Sequence, residues 1–164
     1  MMEVESDTIV IGVGNEYRRD DAAGVAVARR LRSLCASGAT ILEMSGEGAA
    51  LMEAWKSAPL VIVIDAARSG AVPGTIHRLN ASTPVPSGFF SYSTHEFSVA
   101  EAVEMARVLG QLPPRLIIYG IEGEDFSPGV GLTASVEKAV AWVAAQVAGQ
   151  LQRTGSPGVK PISA

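Results

Sequence analysis

Three side chains set the chemistry this chain could perform: Asp21, at the start of a helical pattern; Asp65, at the end of an apolar run; and His95, in a polar loop reading S-T-H-E-F. Two carboxylates and one imidazole suit a divalent transition metal with coordination positions left open, because mixed oxygen and nitrogen donors fit zinc, nickel, manganese or iron. Each residue also has a plain structural reading. Asp20 or Asp21 could cap a helix, Asp65 could bond the turn that follows its strand, and a lone loop histidine could be solvated or capping. Glu43 and Glu47, on either side of the stretch M-S-G, could line the same crevice or be ordinary surface, and His77 alternates with apolar neighbours in a way that predicts a solvent-facing side chain. The serines have no visible base partner, and Cys35 lies in an apolar helical pattern far from either histidine. Nucleophilic catalysis is therefore not indicated.

These residues need elements that bring them together. The stretch I-V-I-G-V-G-N-E-Y-R-R-D-D-A-A-G predicts a strand, a glycine turn and a helix start. It is not a dinucleotide fingerprint, because Tyr17 stands where the third glycine is required. No Gly-Lys-Ser/Thr follows, and two acidic groups at the helix start would repel a phosphate and attract a cation.

Downstream, the pattern predicts a helix over Asp20 to Ala36, a strand over Thr40 to Met44, a helix over Ala49 to Lys56 and a buried strand over Leu60 to Ile64 that stops at Asp65. An edge strand, possible in antiparallel sense, is expected within Gly70 to Leu79, then a long polar loop over Asn80 to Thr94. A helix over Ser98 to Leu109, a strand over Arg115 to Tyr119, a glycine-rich loop and a helix from a Thr133 cap to about Leu151 complete the pattern. The order β-α-β-α-β-β-α-β-α is that of a doubly wound sheet with one interrupted crossover. The expectation is an α/β fold: one three-layer domain, a mostly parallel twisted sheet of about five strands sandwiched by helices, over residues 1–152, with 153–164 as a disordered tail. In such a sheet the carboxyl ends of the first and third strands commonly lie side by side, which would bring Asp21 and Asp65 to one crevice.

Composition sets further bounds. A chain of 164 residues can bury a single core without staples, and one cysteine forms no internal disulfide. The net charge of −4 with scattered basic residues argues against a nucleic-acid footprint. With no export signal or membrane span in the pattern, the expected setting is the cytoplasm, away from membranes.

Four separated motifs, G-V-G-N-E-Y-R-R-D-D-A-A-G, V-I-V-I-D-A-A, S-T-H-E-F and P-P-R-L-I-I-Y-G-I-E with the downstream S-P-G-V-G-L-T, together resemble the maturation endopeptidases of NiFe hydrogenases, in order from about Thr8 to the last helix. The resemblance implies a metal-binding acidic residue, aspartate and histidine, which fall by motif on Asp21, Asp65 and His95. It also implies an activity: removal of a short C-terminal extension from the hydrogenase large-subunit precursor after nickel insertion, with the nickel sensed by these three residues. The nickel is then carried by the precursor, and the isolated protein, expected to be a monomer, would hold no tight metal of its own. One departure stands out. Many members carry an Asp-Gly-Gly-Thr-like segment after the second strand; here the region reads E-M-S-G-E-G, so any role of that aspartate reaches Glu43 without a motif match. Two other classes stay open at this point, a metal- or small-ligand-binding module without bond cleavage and a metallohydrolase with its own zinc.

Overall fold

The computed structural model describes residues 8–34, 38–84 and 99–154. Five strands form one sheet: β1 (Thr8–Val13), β2 (Thr40–Met44), β3 (Leu60–Ala67), β4 (Ile76–Asn80) and β5 (Arg115–Glu122), in the order β2-β1-β3-β5-β4. All pairings are parallel except β4 with β5, which is antiparallel at the edge. Among the described residues four helices cover the faces: α1 (Ala23–Ser33), α2 (Gly48–Ala54), α3 (Val99–Val108) and α4 (Ala134–Thr154). This is the expected α/β architecture, with β1 and β3 adjacent and the interrupted crossover at β4.

The two faces follow from strand alternation. Ile62, Ile64, Ile117, Tyr119 and Ile121 pack with Val27 and Leu31 of α1 and with Val140, Val143 and Val147 of α4. The intervening Val61, Val63, Leu116 and Ile118 pack with Leu51 and Trp55 around α2 and with Val99, Val103 and Ala106 of α3. Every residue of β3 is buried, which explains the apolar run Leu60–Ile64 that precedes Asp65. Each such Val or Ile side chain contributes about 1.5–3 kcal/mol through burial.

Several boundaries differ from those the sequence implies. β3 does not stop at Asp65; it runs to Ala67, because β5 continues alongside and pairs Asp65 with Gly120, Ala66 with Ile121 and Ala67 with Glu122. β5 likewise passes Tyr119 and ends at Glu122. The neighbouring strand supplies the ladder that local propensity does not. The first helix begins with a 3₁₀ turn, Arg19–Ala22, before α1 proper. α4 extends to Thr154, so Arg153 belongs to a helix and not to a tail. Cys35, most of the expected long loop, His95 just after it, and residues 155–164 lie outside the described residues.

α1 approaches the sheet closely, and Gly24 permits it. A Cβ there would lie 2.1 Å from the Ile64 carbonyl oxygen and 2.4 Å from that of Val13. Any side chain at this position would push the helix off both central strands.

Candidate active site

The turn after β1 begins at Gly14, where two features demand glycine: a φ of +156°, and a backbone so close that a Cβ would lie 2.0 Å from the Asp21 carbonyl oxygen. Its N–H donates to the Met44 carbonyl at 3.0 Å, tying the turn to β2. Asn15 then closes a local turn, its Oδ1 accepting from the Tyr17 N–H at 2.9 Å. The Asn15 N–H donates to Asp21 Oδ2 at 3.1 Å, so the glycine turn itself orients this carboxylate. Asp21 remains partly exposed at the carboxyl edge of the sheet.

Asp65 reaches the same edge from β3 and is only 5% exposed. Its Oδ1 accepts from the Ala66 N–H at 2.8 Å. Burial holds this carboxyl well above the usual carboxylate range, the nearby Asp21 charge raises it further, and the Ala66 N–H opposes both. A carboxylate that repels its neighbour in a dry site is stabilised by an arriving cation. Among the described residues no group of three or more His, Cys, Asp or Glu is arranged to hold a metal ion. Asp21 and Asp65 form a pair, and the expected third member, His95, lies outside the described residues.

The adjacent Asp20 has a different task from Asp21. It is fully buried and accepts four hydrogen bonds: from the N–H groups of Glu124, Asp125 and Thr133 at 2.9, 3.0 and 2.8 Å, and from the Thr133 hydroxyl at 2.8 Å. It pins the loop between β5 and α4 beneath the site. Neither aspartate occupies the N-cap position, which falls on Arg18 for the 3₁₀ turn and on Ala22 for α1; the 3₁₀ turn forms where Asp20 is drawn across to that loop. Thr133 precedes α4 as expected, with its hydroxyl committed to Asp20.

The remaining acidic candidates also acquire definite partners. Glu43 forms ion pairs with Arg29, at 3.0 Å, and with Arg32. Burial raises its pKa, but hydrogen bonds and charge from Arg32 and Arg29 outweigh this and lower it. Glu47 caps α2, accepting from the Ala49 and Ala50 N–H groups, both at 3.2 Å.

Two further residues near this edge escape the sequence pattern. Glu122 is buried, accepting from the Ser69 and Gly70 N–H groups at 2.7 and 2.9 Å and from the Ser69 hydroxyl at 3.0 Å. His77, expected to face solvent, is half-buried, with Nε2 3.4 Å from Glu122 Oε2. The correction has a physical cause: β5 extends to Glu122, and β4 lies against that extension. The signal was present in the alternation of L-I-I-Y-G-I-E, had the strand been continued to its end.

Comparisons with known proteins identify the family and the fold. The family model described as hydrogenase maturation protease matches residues 25–150. The hydrogenase 2 maturation protease of Escherichia coli (strain K12) is 30% identical over 151 residues, covering 90% of this chain and 92% of that protein. Among solved structures, the hydrogenase maturating endopeptidase HybD from E. coli superposes with a TM-score of 0.73 at 26% identity, covering 90% of this chain and 93% of that one. The hydrogenase maturation protease HycI from Thermococcus kodakarensis KOD1 has a TM-score of 0.69 with the same coverage, a likeness of fold at 22% identity. With most of its length matched by the family model and a relative aligned nearly end to end, this chain belongs to the hydrogenase maturation protease family and is a peptidase.

Proposed function

We propose that this peptidase removes the C-terminal extension of a NiFe hydrogenase large-subunit precursor after nickel insertion, and that Asp21 and Asp65, joined by His95, recognise the nickel the precursor carries. The observation that carries this reading is the Asp65 carboxyl, buried at the carboxyl end of β3 and penalised by both burial and the Asp21 charge. Such a pair is poorly suited to being empty and well suited to receiving a cation. A metal arriving with the substrate offsets the repulsion only in the complex, so binding energy is gained when a loaded precursor docks and not when an unloaded one does. Asp21 is oriented by the Asn15 N–H and Asp65 by the Ala66 N–H, so a backbone donor holds each carboxylate at the carboxyl edge of the sheet.

The ion is therefore treated as part of the substrate. The reading places processing in the cytoplasm, where the precursor is assembled; among the described residues no helix is long and apolar enough to cross a membrane. The test is incubation of the purified protein with metal-free and nickel-loaded large subunit. Cleavage is expected of the loaded form alone, and equal cleavage of both would rule out metal sensing.

A further inference from the structure

Three connections leave the carboxyl edge of the sheet: residues 14–18 after β1, 68–75 after β3 and 123–133 after β5. On each of them a large apolar side chain stands in solvent, Tyr17 at 66% exposure, Val72 at 75% and Val130 at 74%. Single exposed apolar residues are ordinary on a protein surface. What sets these three apart is how their backbones are held and what lies beside them.

The Gly129 N–H donates to the Tyr17 carbonyl at 2.8 Å and the Arg19 N–H to the Gly129 carbonyl at 3.1 Å, which joins the first connection to the third as a short parallel bridge. Arg19 keeps a φ of +45° there, a conformation unfavourable for any residue but glycine, which only surrounding bonds sustain. Arg18 Nε donates to the Phe126 carbonyl at 3.3 Å, and the Arg68 guanidinium lies 4.8 Å from the centre of the Phe126 ring, so the second connection is drawn to the other two. The Gly74 N–H donates to the Glu122 carbonyl at 2.8 Å and holds the turn that follows Val72 against the end of β5. The three apolar side chains therefore project from one cross-linked backbone.

A substrate ion seated on Asp21 and Asp65 brings the protein that carries it over this edge, and side chains standing out from the edge are then covered. We infer that Tyr17, Val72 and Val130 form the docking surface for the nickel-carrying precursor, meeting an apolar patch on the precursor's own surface beside its metal. This rests on the reading of Asp21 and Asp65 given above. Continuity with that pair selects the occupant: the Asn15 N–H orients Asp21, and the Tyr17 N–H donates to Asn15 Oδ1, so Tyr17 belongs to the turn that sets the site carboxylate. A backbone already fixed loses little freedom on binding. Tyrosine adds a large contact area with few torsions, and it is among the residues that carry most of the affinity at protein interfaces.

The experiment measures kcat and KM separately for cleavage of nickel-loaded precursor by the wild-type protein, Tyr17→Ala, Tyr17→Phe, Val130→Ser and Val108→Ser, with thermal melts of each. Val108 is the control, an 82% exposed valine at the end of α3, on the opposite edge of the sheet. Tyr17→Ala is expected to raise KM about tenfold or more and Val130→Ser about threefold, with kcat changed less than about twofold. The bonds that orient Asp21 use backbone N–H groups and survive both changes. Tyr17→Phe should keep most of the affinity, and Val108→Ser all of it, with Tm unchanged throughout. An unchanged KM in Tyr17→Ala overturns the inference, as does an equal rise in Val108→Ser or a rise matched by a loss of Tm. A Tyr17→Phe protein as weak as Tyr17→Ala overturns the apolar contact. Sedimentation of the wild type alone tests the other occupant: a dimer that Tyr17→Ala dissociates would assign the surface to a second copy of this chain. Should wild-type protein cleave metal-free and nickel-loaded precursor equally, metal sensing fails, while the KM ratio between wild type and Tyr17→Ala still judges the docking surface.

Discussion

Replacing Asp20 by Ala separates the two adjacent aspartates most sharply. Asp20 is fully buried, and its carboxylate is the acceptor for three backbone N–H groups and one hydroxyl on the loop between β5 and α4. Removing it leaves the N–H groups of Glu124, Asp125 and Thr133 without that acceptor, and an orphaned buried donor costs about 1–3 kcal/mol. Glu124 is exposed and Asp125 and Thr133 are partly so, which lets water relieve part of the loss. The lower end of the range applies, giving about 3–5 kcal/mol in all. For a domain of this size each kcal/mol moves Tm by about 2–4 °C, so the transition should fall by roughly 6–20 °C. Asp20→Asn should recover only part of this, because with its amide oxygen in the Oδ2 position its NH2 would face the Thr133 N–H as donor against donor. Asp21→Ala loses the Asn15 N–H bond at a partly exposed site and relieves repulsion on Asp65, so it should cost about 1 kcal/mol or less. Urea denaturation of the three variants measures these differences. A loss below about 1 kcal/mol for Asp20→Ala would refute the assignment of Asp20 as the pin of this loop.

The remaining predictions concern the site and its support. Asp65→Asn should abolish precursor cleavage while stabilising the fold near neutral pH. The sign follows from a folded-state pKa raised by burial and Asp21: below about pH 4 the carboxyl is protonated in both states and the variant gains nothing, and as pH rises the wild type alone pays for a buried charge. Melts of both proteins from about pH 4 to 8 would contradict this if the gap failed to widen with pH. Glu43→Ala should leave cleavage within about twofold and stability within about 1 kcal/mol, since its partners are half-exposed arginines; a large fall in kcat would return it to the catalytic set. Gly24→Ala should prevent normal folding, because its Cβ would enter the Ile64 and Val13 carbonyls; a native-like melt would show that α1 can shift outward. Protein purified without added nickel should contain well under one equivalent of metal by elemental analysis, and stoichiometric zinc would favour a resident metal.

The amino-acid sequence alone determined the element order, the buried central strands, the antiparallel edge strand and the family motifs, because these are written in local periodicity and in turn residues such as Gly14. It also singled out Asp21 and Asp65, since a carboxylate ending an apolar run is conspicuous without any structure. What it could not assign was the division of labour among neighbours. Asp20 and Asp21 are equivalent in sequence, yet the first is consumed by donors more than a hundred positions away and the second stays partly exposed at the carboxyl edge of the sheet. Glu43 and Glu47 look alike as candidates until the fold gives one two arginines and the other a helix N-terminus. His77 reads as solvent-facing because its partner Glu122 lies on another strand, beyond the end that the sequence suggests for β5. Hydrogen-bond partners and burial at these positions depend on which strands run side by side and how far they pair, and that is decided only when the sheet assembles.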